Sequence, residues 1–246
     1  NWGGGDLSDV LQQDGIHDLP LGYVAASALA ANGDKTRAAR ILEELLLTKL
    51  DFDPAYELLL KLRGAEALPL FDKLYALDRF QERPLIWKAQ ILLDQRKLPE
   101  AEKVIREAIA IDPSDGEQRF GRRMRVYSVL ADILEARGDA AQAKVFRGAV
   151  NAIRISERAD GFYAAGLLAR AIKMYQEALG HFQDAYCIQS RLAVQLSSQG
   201  KFEEAEAHYR RAFELMPDSF GRVETHCFGC EGVFHGKRAE GIAEGV

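Results

Sequence analysis

"GLLARAIKMYQEAL" (166–179) and "GKFEEAEAHYRRAF" (200–213) are the stretches whose comparison decides the fold. Laid on each other, Gly166 meets Gly200, Ala171 meets Ala205, Tyr175 meets Tyr209 and Ala178 meets Ala212, always at the same offset. Upstream, Ala159 meets Ala193 and Phe162 meets Leu196 at that offset too. Self-similarity at a period of about 20–50 residues marks a stacked-repeat architecture. Inside each copy the small and apolar residues recur at three- and four-residue steps, the spacing of amphipathic helices.

The same marks recur toward the N-terminus. "RKLPEAEKVIREAIAIDPSD" (96–115) carries Ala101, Ile105, Ala108 and Pro113, and Ala67 precedes Ala101 by the same offset. "NGDKTRAARILEELL" (32–46) and "RGDAAQAKVFRGAV" (137–150) share a G-D-x-x-x-A pattern. Glycine accepts the left-handed backbone that ends a helix, and proline after a helix cannot continue it. The spacing is uneven. The intervals from Ala38 to Ala67 and from Ala143 to Ala171 fall short of one period, while that from Ala101 to Ala143 exceeds it, with the surplus around "PSDGEQRFGRR". The short interval predicts one long helix over 140–165 that ends one pair and begins the next, with Gly161 as its weak spot.

Composition narrows the class. The 246 residues are 48% hydrophobic and 28% charged, with a net charge of −5. That is an ordinary globular composition. Nucleic-acid binding runs on Lys and Arg neutralising phosphates, so no nucleic-acid partner is expected of an acidic chain. No apolar run reaches the roughly 18–20 residues of a membrane span, so no membrane partner is expected either. Three cysteines are too few for a disulfide framework and point to a reducing compartment, hence a cytoplasmic location. With 7 prolines, most of them between helical segments, and no long alternating strand pattern, the chain reads as all-α.

These residues resemble the tetratricopeptide (TPR) repeat. That family's motif has one small residue in the first helix of each pair, two in the second with a large apolar or aromatic residue between them, a glycine-containing turn, and a closing proline. The match is good over 186–219, fair over 82–115 and 152–185, and weaker over 19–52, 48–81 and 124–157. The resemblance implies a right-handed superhelical α-solenoid of antiparallel helix pairs, with irregular spacing. The physics agrees: small residues let two helices approach closely. One pair cannot bury its apolar face alone, so pairs stack. The domain reading is a flexible N-terminal tail over 1–15 and a repeat domain over 16–246, about six helix pairs and a partial C-terminal one. Because "KRAEGIAEGV" stops inside an expected helix, the chain reads as a piece of a longer protein or as having a last helix covered by a partner.

"THCFGCEGVFHG" (225–236) is the one compact cluster of metal-ligating residue types. Projecting the repeat offset from Ala193 reaches Cys227, and from Leu196 it reaches Cys230. Both fall where the repeat needs a small or apolar residue, and free cysteine packs as a small hydrophobe. Zinc also takes cysteine and histidine ligands, so His226, Cys227, Cys230 and His235 stay as weak metal candidates beside a thiol pair. Cys187 reads as a buried thiol. His181 and His208 read as solvated helix residues, as does the basic run Arg119, Arg122, Arg123 and Arg125. No phosphate loop, nucleophile elbow or H-E-x-x-H occurs. No catalytic residues, no enzyme activity and no cofactor are expected.

What the resemblance implies about function is a non-catalytic scaffold or adaptor, holding a peptide or protein segment in a concave groove lined by the first helices. Carried over residue by residue, the groove positions are Tyr23, Tyr56, Gln90, Arg125, Asp132, Ser156, Asp160, Ser190 and Val194, with Ser27, Ser128 and Tyr163 beside them and Glu224 and Phe228 if a further copy exists. The lysine and asparagine with which chaperone-binding members clamp a terminal carboxylate do not occur at the matching places. The expected partner is therefore another protein or peptide, or a second copy of this chain, and not a chaperone tail. Two alternatives stay open: a regulatory or targeting region of a longer enzyme, and a metal- or thiol-dependent site at Cys227 and Cys230.

Overall fold

In the computed structural model, residues 19–113 and 125–216 are described. Among them are eleven α-helices and no strand. They are α1 (Leu19–Ala31), α2 (Lys35–Thr48), α3 (Asp53–Arg63), α4 (Leu68–Leu77), α5 (Arg83–Asp94), α6 (Leu98–Ile111), α7 (Val126–Arg137), α8 (Ala140–Ala164), α9 (Leu168–His181), α10 (Tyr186–Ser198) and α11 (Phe202–Leu215). A 3-10 turn, Gly64–Ala67, leads into α4. At the described connections short turns fold consecutive helices back on each other, so the fold is the all-α, antiparallel-pair solenoid expected of the repeat. The chain divides into two compact units between Ala143 and Lys144, inside α8. In the first, α1 packs on α2, α5 on α6, and α5 also on α7; in the second, α9 packs on α10 and α10 on α11.

The turns inside the pairs follow one design. Gly33, Gly138, Gly166 and Gly200 all have positive φ, between 75° and 90°. In each, the glycine amide donates three residues back and the next amide five back, as when Asp139 N–H donates to the Leu134 carbonyl at 2.8 Å. This is the Schellman closure, which satisfies the last carbonyls of the first helix. The G-D-x-x-x-A pattern has a second function. Asp34 and Asp139 accept from the amides of Arg37 and Gln142, each at 3.1 Å, and so cap the start of the second helix. The fifth such turn has Arg96 where the others have glycine, at φ 60° with the same two hydrogen bonds.

A register is visible here that the repeat period conceals. Ala26 and Ala38, Ala55 and Ala67, Ala89 and Ala101, Ala131 and Ala143, Ala159 and Ala171, and Ala193 and Ala205 are all separated by one and the same interval. Every one of these alanines is buried. The geometry inside a pair is therefore constant, and the uneven spacing lies wholly between pairs. One helical turn after the second alanine stands a buried large side chain: Leu42, Phe71, Ile105, Tyr175 and Tyr209. The fourth pair departs from this, with half-buried Arg147 at that place.

The long helix expected over 140–165 is present as the 25 residues of α8. Gly161 lies within it, on the exposed side. Gly148 has the stronger reason to be glycine: a Cβ there would sit 2.6 Å from the carbonyl oxygen of His181, at the end of α9. The core of the first unit centres on Leu42, Leu45, Tyr56, Phe71 and Trp87, and that of the second on Tyr175, Ile188, Leu192 and Leu196.

Candidate functional site

Of the nine groove positions, seven are half-buried at the protein surface and two lie in the core. Tyr56 is 0% exposed. Its ring stacks on Trp87 at 6.1 Å, 3° from parallel, and meets Phe71 at 5.3 Å. Its hydroxyl donates to the Leu50 carbonyl at 2.8 Å. A large ring beside Ala55 is covered by the tryptophan of the next first helix, so Tyr56 is a packing residue and not a partner contact. Burial is the main cause that pushes its phenol far above the ordinary range. Ser156 is 1% exposed, and its hydroxyl donates back to Ile153 at 2.8 Å, a local bond open to serine inside a helix.

The remaining positions group within each unit. In the first, α5, which carries Gln90, touches α7, which carries Ser128 and Asp132, with Arg125 at the start of α7. Gln90 donates to Asp94 one turn on, at 2.8 Å. Tyr23, on α1, packs edge-on against Phe52 at 5.7 Å. In the second unit, Ser190 and Val194 share α10 with Arg191, whose guanidinium donates to Asp160 on α8 at 3.0 Å. Tyr175 of α9 donates its hydroxyl to the other oxygen of the same carboxylate at 2.5 Å. Asp160 therefore ties three helices together.

A second polar set is buried in the first unit, and sequence reasoning passed over it. Arg83, 2% exposed, faces Asp53 with Nε 3.2 Å from Oδ2, and also donates to Glu82. Trp87 Nε1–H donates to Asp53 Oδ1 at 3.1 Å. Asp53 opens α3 while Arg83 and Trp87 lie on α5, so the set clamps two first helices together. Two carboxylates around one guanidinium leave an excess negative charge. Burial accordingly raises the Glu82 carboxyl above its ordinary range, with Arg83 opposing.

Other sequence readings shift as well. His208 is half-buried, its Nδ1 2.7 Å from Gln189 Oε1, and not a solvated helix residue. Burial lowers its pKa, with Glu204 opposing. His181 is exposed as read. Cys187 is half-buried against the second core. The readings on residues 1–15, Arg119, Arg122, Arg123, Glu224, His226, Cys227, Phe228, Cys230 and His235 lie outside the described residues. Among the described residues no group of three or more histidines, cysteines or carboxylates is placed to hold a metal ion. No described helix is long and apolar enough to cross a membrane.

The sequence matches the model described as tetratricopeptide repeat over residues 62–116 and 156–219. A search of the curated proteins returns no match. Among solved structures, the chain is similar to MamA (residue 41 to the end) from Desulfovibrio magneticus RS-1 at 18% identity, covering 80% of this chain and 94% of that one, with a TM-score of 0.34. It is similar to TTC0263, a thermophilic TPR protein in Thermus thermophilus, at 18% identity over 84% and 96% of the two chains, TM-score 0.29. It is also similar to YrrB, a TPR protein with an unusual peptide-binding site, at 12% identity over 90% and 97%, TM-score 0.30. At such TM-scores only the repeat match, and not the superposition, bears on the family. With buried alanines at a constant spacing in each of the six described pairs, glycine-closed turns and two stretches that match the repeat model, the chain carries tetratricopeptide repeats over residues 62–116 and 156–219.

Proposed function

We propose that this chain is a non-catalytic scaffold that binds an extended peptide or a protein segment along the exposed sides of its first helices. The observation that carries the reading is a sharp change of environment at three adjacent pairs of residues. Ala89, Ala131 and Ala193 are 0% exposed, yet the next residues, Gln90, Asp132 and Val194, are half-buried at the surface. Each of these helices is thus anchored by its alanine and offers the following side chain, with Ser128 and Ser190 one turn before. Each unit by itself thus offers a small mixed surface, amide, hydroxyl and carboxylate in the first and hydroxyl beside an aliphatic side chain in the second. It suits a neutral or mildly basic segment bound through side-chain hydrogen bonds and apolar contact. A cytoplasmic location accords with the low cysteine count.

The test is affinity capture from the native source, with mass spectrometry of the retained proteins, using the native chain and two variants. One variant combines Gln90→Ala, Ser128→Ala and Asp132→Ala; the other combines Ser190→Ala and Val194→Ala. Tyr56 and Asp160 are left untouched because both hold the fold. A partner kept by the native chain and lost by either variant, with helical content unchanged, supports the reading. A partner that both variants retain in full moves the interface away from these helices.

A further inference from the structure

We propose that the exposed face of α8 is a docking site for an acidic polypeptide segment. Lys144, Arg147, Asn151, Arg154 and Arg158 follow one another at three- and four-residue steps, so they form one stripe along the helix. The stripe runs about 21 Å at 1.5 Å per residue. Lys144, Asn151, Arg154 and Arg158 are exposed, and Arg147 is half-buried. Ala149, Ala152, Ile153, Ser156 and Ala159 turn the other way and are buried. Of the two acidic residues of α8, Asp160 is held by Tyr175 and Arg191, and half-buried Glu157 stands at the edge of the stripe, three residues after Arg154. Among the described residues, no ion pair engages Lys144, Arg154 or Arg158.

Two features argue that this stripe is more than a solvated face. The first is Arg147, at the place where five other pairs put a buried Leu42, Phe71, Ile105, Tyr175 or Tyr209. A sequence shaped by folding alone has reason to put an apolar side chain there. The second is like-charge spacing: Arg154 and Arg158 are four apart, a pairing that destabilises a helix unless a counter-charge is present. The stripe also opposes the sign of the whole chain, whose net charge is −5.

The chemistry of the occupant follows from the same geometry. A facing helix with Glu or Asp at three- and four-residue steps presents carboxylates at the same intervals as the stripe. A longer polyanion such as RNA would run past four cations onto a net-acidic protein, and no aromatic ring lies among the five stripe residues to stack a base. This surface is distinct from the α5, α7 and α10 positions proposed above, and its test can fail independently of theirs.

The probe is a fluorescein-labelled helical peptide of Glu and Ala with Glu at three- and four-residue steps, beside the same peptide with Gln for Glu. Binding to the full chain is read by fluorescence anisotropy at low and high salt. The expected result is salt-sensitive binding of the Glu peptide alone, weakened about tenfold or more by Lys144→Glu, Arg154→Glu and Arg158→Glu together. A control with Lys35→Glu, Lys73→Glu and Lys103→Glu changes the net charge equally on the first unit and should bind as the native chain does. If the reversed stripe loses helical content, Lys144→Gln, Arg154→Gln and Arg158→Gln replace it, with a smaller loss expected. Equal loss in stripe and control variants, equal binding of the Gln peptide, or tighter binding of labelled oligouridylate than of the Glu peptide would each overturn the proposal.

Discussion

In the first unit the carboxylate of Asp53 joins α3 to α5 through Arg83 and Trp87; in the second the carboxylate of Asp160 joins α8, α9 and α10 through Tyr175 and Arg191. Both connect successive helix pairs, where the spacing of this chain varies most. They differ in environment. The Asp53 and Arg83 side chains are 6% and 2% exposed, whereas Asp160 and Arg191 are 24% and 29% exposed. A charge enclosed by protein depends wholly on its partner, while one at the surface falls back on water. The two units thus use one connecting device in two regimes, and substitutions should separate them.

The largest effect is expected from Arg83→Met. It leaves Asp53 and Glu82 enclosed without their cation, which costs about 3–5 kcal/mol. Trp87 fluorescence during urea unfolding, in a Trp2→Phe background, reads this in the first unit. Combining Asp53→Asn, Glu82→Gln and Arg83→Met should recover most of the loss, because a buried ion set replaced as a whole is often neutral. No recovery would mean that the charges themselves hold α3 and α5 together. Asp160→Ala should cost less, about 2 kcal/mol, chiefly by leaving the mostly buried Tyr175 hydroxyl without its acceptor. Hydrogen exchange of α9 and α10 amides would report it. A loss as large as that of Arg83→Met would erase the distinction between the two regimes.

Turn chemistry adds a smaller contrast. The second unit closes both of its turns with glycine, Gly166 and Gly200, whereas the first has Arg96 in the same backbone conformation. A left-handed non-glycine residue costs about 1–2 kcal/mol. Arg96→Gly should therefore stabilise the first unit by up to about 1 kcal/mol, after the entropy that glycine adds to the unfolded chain. A destabilised variant would show that the Arg96 side chain makes a contribution beyond the turn.

Much of this fold can be read in the sequence because its determinants are local or strictly spaced. The glycine turns, the buried alanines and the long helix over 140–165 all follow from intervals of residue types. Even the constant spacing of alanines within a pair is open to inspection once attention moves from the period between pairs to the register inside them. Tyr56 and Ser156 are not legible as core residues. A tyrosine after Ala55 and a glutamine after Ala89 occupy the same register, and only Trp87 stacked over the ring decides that one is enclosed. The Asp53–Arg83 pair is hidden for a related reason. An acid at a helix start reads as an ordinary favourable charge, and its partner lies two helices further along the chain, at the start of α5. Pairings across that distance leave no local mark.

Proton linkage sharpens the comparison, since the two units should respond to pH with opposite sign. Burial raises the Glu82 carboxyl above its ordinary 4.5. As pH climbs from that value toward the raised one, the unfolded chain ionises freely while the folded unit resists, so stability falls. Subtracting the curve of Glu82→Gln from that of the native chain isolates this contribution, which should decline with rising pH. A difference that rises instead would mean that Arg83 outweighs burial and that Glu82 is a favourable member of the set.

His208 gives the smallest and most local effect. Its ring lies against Gln189, which in turn donates to the Gln183 carbonyl at 2.7 Å, and burial lowers its pKa below 6.5 with Glu204 opposing. As pH falls below that value the unfolded chain takes up a proton that the folded unit resists, so α10 and α11 lose stability on acidification. His208→Gln keeps a hydrogen-bonding side chain toward Gln189 and removes the titration. Hydrogen exchange of α10 and α11 amides between about pH 5 and pH 7 should then show protection that falls with acid in the native chain and less so in the variant. If both respond alike, the acid sensitivity of the second unit does not arise from His208.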